Sequence, residues 1–291
     1  LMVYGVNCHL LLALYQRGAM RRQGLDAAGL ESFYTRQDAR ELLPGVTTQL
    51  PIFNEMNVAE RVIRAVAAFD YPRAKHQIQV LDDSTDETRE LVAGVVRELA
   101  ETGIDIVHLH REKRTGFKAG ALREGLSGAS GEFLAIFDAD FVPPPDFLLR
   151  SIPFFLMEEQ LGLVQGRWEH LNPGQNLVTR LQAIGIDGHF SIEQPARNYS
   201  GLFMNFNGTA GVFRKQAVLD AGNWQDDTLT EDMDLSYRLQ LAGWSCRYLP
   251  GLAAPAEIPA GIEAFKSQQF RWAKGSIQTA RKLLPQVFAS K

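Results

Sequence analysis

An α/β fold built on a mostly parallel sheet, with helices on both faces, is what the 291-residue sequence predicts. Three observations predict it. Short apolar runs alternate with helix-like stretches from Val46 to Phe137, the signature of such a sheet. Two of those runs stop on acidic clusters, Asp82-Asp83 and Asp138-Ala139-Asp140, where ligands of such sheets bind beyond the strand ends. The length gives ample material for a core, in one large domain or two small ones.

In order, residues 46–53 read as a first strand, with Asn54 as a cap and a helix through Phe69. Residues 78–81 form a second strand ending on Asp82-Asp83-Ser84, and Thr85-Asp86 begins a helix rich in Glu and Arg. A third strand, 104–109, gives way to a basic loop from Arg111 to Arg114; Gly116 starts the next helix, and 133–137 is a fourth strand followed by Pro143, Pro144 and Pro145. The second half is less regular. Residues 163–170 read as a strand and 175–193 as a helix, and Phe203 opens a strand running into the turn Gly208-Thr209-Ala210-Gly211, where small residues admit close approach. Thr230-Glu231-Asp232-Met233-Asp234 opens a helix ended by Gly243, and 262–284 is a last helix.

A net charge of −4 and the lack of a dense Lys/Arg run argue against nucleic-acid binding. Neither a P-loop nor GxGxxG follows the first strand, which argues against nucleotide binding by those devices and against a phosphotransferase. Cys8 and Cys246 have no metal-ligand spacing and fit a reducing compartment. His108 and His110 alternate in a strand and can share a face, as a zinc pair or a structural one.

Residues 1–14 are almost wholly apolar, and Arg17, Arg21 and Arg22 follow. The run is shorter than the roughly 20 residues a spanning helix needs. It reads as the back end of a transmembrane helix cut at its front, the arginines on the cytoplasmic side; a buried amphipathic helix also fits its length. A signal peptide would put the basic residues first. Residues 23–44 are polar without a clear period and read as a linker.

Several side chains point to chemistry. In an extended chain Asp138 and Asp140 face the same side, as a turn or cap or as a hard oxygen pair for Mg2+ or Mn2+. The carboxylates of residues 231–234 fit helix capping or a site. Gln268, Arg271 and Trp272 share one helix face. There a ring suits the apolar side of a sugar and a guanidinium suits a diphosphate, or the pair simply packs.

Taken in order, Asp82-Asp83, Asp138-Ala139-Asp140, Thr230-Glu231-Asp232 and Gln268-Gln269-Phe270-Arg271-Trp272 resemble the D, DxD, TED, QxxRW series of the membrane-integrated family 2 glycosyltransferases, the family of cellulose, mannan, hyaluronan and chitin synthases. Leu50-Pro51-Ile52-Phe53-Asn54-Glu55, Lys118-Ala119-Gly120-Ala121-Leu122 and Phe206-Asn207-Gly208-Thr209 are similar to its supporting stretches. The likeness runs from about Pro44 to Leu284. Two departures are Ala139, where synthases often carry DCD, and Asn207, where a Cys is common.

The resemblance implies a glycosyltransferase A type fold with a Rossmann-like sheet. It implies an inverting transfer of a hexose, glucose or mannose, from a UDP- or GDP-sugar to a growing β-linked polysaccharide. Transfer to a lipid acceptor, or a silent sugar-nucleotide-binding subunit, are the alternatives. Asp232 is then the general base, and Asp140 with Asp138 holds Mg2+ or Mn2+ on the diphosphate. Asp82, Asp83, Asp138, Lys118, Gln268 and Arg271 bind the donor, and Trp272, Glu231, Asn207 and Gly208 the acceptor. The chain divides into a truncated membrane or membrane-proximal helix (1–22), a linker (23–44), the catalytic domain (45–260) and an interface helix carrying QxxRW (261–291). The expected location is the inner or plasma membrane, with the catalytic domain cytoplasmic. Lys266, Lys274, Arg281 and Lys282 fit a membrane-facing helix or an ordinary solvated face.

Overall fold

The computed structural model describes residues 2–290. Leu1, Lys291 and the side chains of residues 2–4, 19–21 and 23 lie outside the described residues, and with them Arg21 and part of the apolar start. Helix α1 (Met2–Tyr34) leads into β1 (Val46–Ile52), α2 (Ala59–Ala67), β2 (His76–Asp82), α3 (Thr88–Glu101), β3 (Asp105–His110), α4 (Phe117–Ser127) and β4 (Phe133–Ile136). The second half adds α5 (Phe147–Met157), β5 (Leu161–His170), α6 (Leu177–Gly188), α7 (Gln194–Tyr199), β6 (Gly211–Arg214), α8 (Lys215–Asp220), α9 (Glu231–Leu241), β7 (Ser245–Ala256) and α10 (Ile262–Ala289).

The seven strands form one sheet in the order β3-β2-β1-β4-β6-β5-β7. Strand β6 runs antiparallel to both its neighbours; the other pairings are parallel. Side chains of β4 show why its sequence is a continuous apolar run. Phe133 and Ala135 enter the core on the face covered by α2, α3 and α5, while Leu134 and Ile136 enter the opposite core with α4, α8 and α9. A strand buried on both faces has no polar side to alternate with.

Several elements differ from the sequence reading. Helix α1 crosses Arg22 without a break and continues to Tyr34. Its inward positions there, Asp26, Leu30 and Phe33, are helically spaced but include an aspartate, so no apolar period shows. Among the described residues no helix is long and apolar enough to cross a membrane.

Asn54 caps no helix. It sits at positive φ, its Oδ1 accepts the Thr85 N–H at 2.9 Å, and α2 begins only at Ala59. The helix expected over 175–193 widens into a π turn at His189–Glu193 before α7. Pro195 at the start of α7 lacks the N–H that a regular turn would bond.

Residues 202–207 pair with no strand. Side chains satisfy their backbone instead: Met204 N–H donates to Gln240 Oε1, Phe206 N–H to Ser236 Oγ and Asn207 N–H to Gln165 Oε1, at 2.9 to 3.0 Å. The strand β7 escapes a sequence reading because Pro250, Gly251 and Pro255 lie within it. As an edge strand with a register shift against β5, it tolerates residues a central strand would not.

Candidate active site

The carboxyl ends of β2 and β4 flank that of β1, to which both run parallel. At the end of β2, Asp82 is fully buried. Its Oδ1 accepts the Ser84 N–H at 2.8 Å, and its Oδ2 lies 2.8 Å from His108 Nε2 and 3.4 Å from His110 Nδ1. Burial pushes its pKa up, but the hydrogen bonds from His108 and Ser84 win and hold it at about 2. The register that sets Asp82 opposite His110 brings both histidines to it.

Asp83 is gripped by the Arg111 guanidinium at 2.7 and 2.6 Å. Arg111 also donates to the carbonyls of Thr115 and Phe117, tying down the basic loop. Beside it the Arg114 guanidinium lies 3.4 Å from the centre of the Phe53 ring. The paired aspartates thus stand at the strand end where ligands bind, with their charges already met from within the protein.

Asp138 and Asp140 sit in a turn just past β4, not in an extended stretch; Phe141 N–H donates to the Asp138 carbonyl at 3.1 Å. The Asp138 N–H donates to Thr209 Oγ1 at 2.9 Å. Lys118, in the first turn of α4, donates to Asp138 Oδ1 and, at 2.9 Å, to the Gly208 carbonyl. Burial opposes its charge, yet Asp138, Glu231 and Asp232 outweigh it and raise its pKa.

Burial, reinforced by the charges of Asp138 and Glu55, pushes Asp140 up to about 7. Glu55, in the loop after β1, is raised by burial and by Asp138 and Asp86. Such mutually repelling carboxylates, with one lysine among them, are a donor set that a hard divalent cation relieves, so Asp138 and Asp140 fit Mg2+ or Mn2+. A second trio, Asp82, His108 and His110, brings its ligand atoms within 4.8 Å of one another. The 2.8 Å contact within it is a hydrogen-bond separation.

Asp232 lies in the first turn of α9. Gly208, at φ +85°, approaches so closely that a Cβ there would stand 3.1 Å from Asp232 Oδ2 and 3.6 Å from Lys118 Nζ. Burial, then the neighbouring Glu231 carboxylate, push the Asp232 pKa well above the usual carboxylate range. Glu231 is itself raised by burial. A carboxylate tuned this way is a competent proton acceptor near neutral pH.

Asp232 opens onto a cavity of about 420 Å³ that Asn207, His189, Trp168, Gln268 and Trp272 also line. The Trp168 and Trp272 rings stand 6.2 Å apart at 58°, and Trp168 stacks on Phe190 at 5.1 Å. Helix α10 is set against this wall by a close backbone approach. A Cβ on Gly275 would meet Thr230 Cγ2 at 2.5 Å and its backbone N at 2.9 Å. Thr230 Oγ1 lies 3.1 Å from Thr279 Oγ1, and Lys282 pairs with buried Asp234 at 2.8 Å and with Asp227 at 2.7 Å. Lys282 therefore turns into the protein instead of joining an outward basic face.

The structure brings Asp138, Asp140, Lys118, Gly208, Glu231 and Asp232 together, and places Asn207, Gln268 and Trp272 around the adjoining cavity. Arg271 is exposed, does not line the cavity, and makes no hydrogen bond or ion pair among the described residues. Sequence reasoning gave Glu55 no role beyond the stretch 50–55 and passed over Trp168 and His189. The i, i+4 spacing of His189 and Glu193 was the available signal for the last.

Residues 44–275 match the family described as Glycosyltransferase like family 2. The chain belongs to that family. A glucomannan 4-beta-mannosyltransferase 7 of Arabidopsis thaliana is 43% identical over 251 residues, 85% of this chain and 45% of the relative. A glucomannan 4-beta-mannosyltransferase 1 of Cyamopsis tetragonoloba is 39% identical over 276 residues, 94% of this chain and 52% of the relative. This family 2 chain thus spans about half the length of the curated relatives it matches.

Among solved structures, the mannosyltransferase PcManGT from Pyrobaculum calidifontis in complex with GDP-Man and Mn2+ superposes with a TM-score of 0.68 at 20% identity, covering 96% of this chain and 76% of that one. S. aureus TarS 1-349 in complex with UDP gives 0.55 at 17% identity, covering 74% and 60%. Both likenesses place this family 2 member in the glycosyltransferase A fold.

Proposed function

We propose that the chain is the catalytic part of an inverting hexosyltransferase that moves mannose from a nucleoside-diphosphate sugar to a growing β-linked polysaccharide. The observation that carries this is the Asp232 carboxylate, raised in pKa, lining an indole-walled cavity. The identity to plant glucomannan mannosyltransferases supports mannose over glucose.

An acceptor sugar lies in the cavity with the Trp168 and Trp272 rings against its apolar face. Its hydroxyl attacks the anomeric carbon from the side opposite the departing diphosphate, and Asp232 takes the hydroxyl proton. Lys118 keeps a positive charge beside Asp138, where the diphosphate is expected, and holds the Gly208 turn against Asp232. A divalent cation on Asp138 and Asp140 supplies, when bound, Lewis acidity for the leaving group. Arg271 reaches the diphosphate only if its exposed side chain turns inward.

We place the protein at the inner or plasma membrane, with this part cytoplasmic. Support for contact with a membrane comes from exposed apolar stripes on the two helices that wall the cavity: Leu177, Leu181 and Ile184 on α6, and Phe270, Ile277, Leu284 and Phe288 on α10. Each is helically spaced.

The test is a screen of GDP- and UDP-hexoses with Mg2+ or Mn2+, using the full-length protein in membranes and reading product mass. A ladder of mannose increments is expected. Asp232→Asn should abolish the ladder while donor binding persists; full transfer by that variant rules out Asp232 as the base.

A further inference from the structure

The π turn at the cavity wall holds a pair of side chains that the proposed reaction leaves without a task. His189 lines the cavity; its Nδ1 lies 2.9 Å from Glu193 Oε2 and its Nε2 lies 3.2 Å from Asn207 Nδ2. Widened turns of this kind recur at functional sites. Buried Gln194, the residue after Glu193, donates its amide to Asn207 Oδ1 at 2.5 Å and to the Asn205 carbonyl at 2.9 Å.

These contacts leave a single consistent proton arrangement. The Asn205 contact is to a backbone carbonyl, which fixes the Gln194 nitrogen as the atom facing it, so the Asn207 atom met by that same nitrogen is the oxygen. The Asn207 NH2 then donates to His189 Nε2, which is unprotonated. The ring proton sits on Nδ1 and is donated to the Glu193 carboxylate, the usual way a carboxylate fixes an imidazole tautomer. Among the described residues one N–H of Asn207 remains unspent, on a residue that lines the same cavity as Asp232 and whose neighbour, Gly208, lies against that carboxylate.

We infer that His189 and Glu193 are positioning residues for the acceptor: they hold Asn207 so that its free N–H donates to the attacking sugar hydroxyl while that hydroxyl donates to Asp232. A hydroxyl held from both sides has its remaining lone pair directed by the protein and not by solvent. Acceptors that present a sugar hydroxyl beside the indole wall are the class selected. This inference rests on the proposed acceptor role of the cavity.

The experiment is a double-mutant cycle on His189 and Asn207 in the full-length protein, with a soluble β-linked manno-oligosaccharide as acceptor. His189→Ala and Asn207→Ala should each raise the acceptor KM about tenfold, the weight of one hydrogen bond with a partner left unpaired. The donor KM should stay where it is. The double variant should be no worse than the worse single variant, because both remove the same contact. His189→Gln, which offers an oxygen to the Asn207 amide, should recover most of the loss, with its thermal midpoint reporting that it folds.

Multiplying effects in the double variant, an equal rise in donor KM, or wild-type acceptor KM in every variant overturns the inference. If the wild-type protein does not extend the manno-oligosaccharide, the mannan reading falls by itself. The same cycle on whichever β-glucan or lipid-linked acceptor it does extend then decides the positioning role.

Discussion

Replacing Gly275 by alanine sets two effects of opposite sign against each other. In an exposed helix the change favours folding by up to about 1 kcal/mol through backbone entropy. Here the new methyl would stand 2.5 Å from Thr230 Cγ2 and 2.9 Å from the Thr230 backbone N. Ordinary contacts between carbon atoms begin near 3.5 Å, so α10 must retreat from the start of α9 by roughly 1 Å. Overpacking of that kind costs about 1–3 kcal/mol, which outweighs the gain.

The retreat also carries Trp272 and Gln268 away from Asp232, because all are borne by the two helices that meet at Gly275. A misplacement of about 1 Å in a reacting geometry costs on the order of a hundredfold in rate. The expected result is therefore a lower thermal midpoint, measured by calorimetry, and transfer reduced about a hundredfold. Transfer at the wild-type rate with a raised midpoint would refute the reasoning, since it would mean that α10 can move without disturbing the cavity.

Two further outcomes concern buried charge. Arg111→Gln leaves Asp83 enclosed with only Arg114, at 3.7 Å, to meet its charge, so the loss falls short of the roughly 3 kcal/mol that follows when a buried charge is left wholly unpaired; urea unfolding should show a loss of about 1–2 kcal/mol, and Asp83→Asn in the same background should return part of it. His76 is buried with its Nε2 2.8 Å from Thr48 Oγ1, and burial lowers its pKa to about 4. A histidine depressed in the folded state contributes stability above its unfolded pKa of about 6.5, lost as pH falls toward 4. Stability should drop by about 3 kcal/mol across that window, at about 1.4 kcal/mol per pKa unit, and His76→Gln should flatten the drop in denaturant titrations at each pH.

What could be read from the sequence follows from where the determinants lie. Strands β1, β2 and β4 are central, so their apolar runs and the acids that end them announce both the sheet and the edge at which the site forms. The helix α9 carries its own start and stop signals, three acids in the first turn and Gly243 at φ +93° after the last. By contrast, residues 202–207 have their backbone bonds met by Gln165, Ser236 and Gln240, which are distant in sequence. No local pattern encodes such partners.

The alternation of His108 and His110 was visible. Their partner was not, because Asp82 meets them through the register of β2 with β3. In the same way the one-face spacing of Gln268, Arg271 and Trp272 is a fact of the helix alone. Which of them reach the cavity depends on the rotation at which Gly275 and Lys282 lock α10 to the rest.

Helix α1 is tied mechanically to the domain. Its 33 residues extend about 50 Å, and its last third is braced to the domain at separate points. Arg247 of β7 joins Asp26 to Glu158, Tyr34 Oη donates to the Leu149 carbonyl at 2.7 Å, and Phe33 is buried in the core. It also packs on α7 and the π turn, the segment that carries His189 into the cavity wall. A helix braced at these points passes a tilt on to the segments it packs against, the π turn that bears His189 among them.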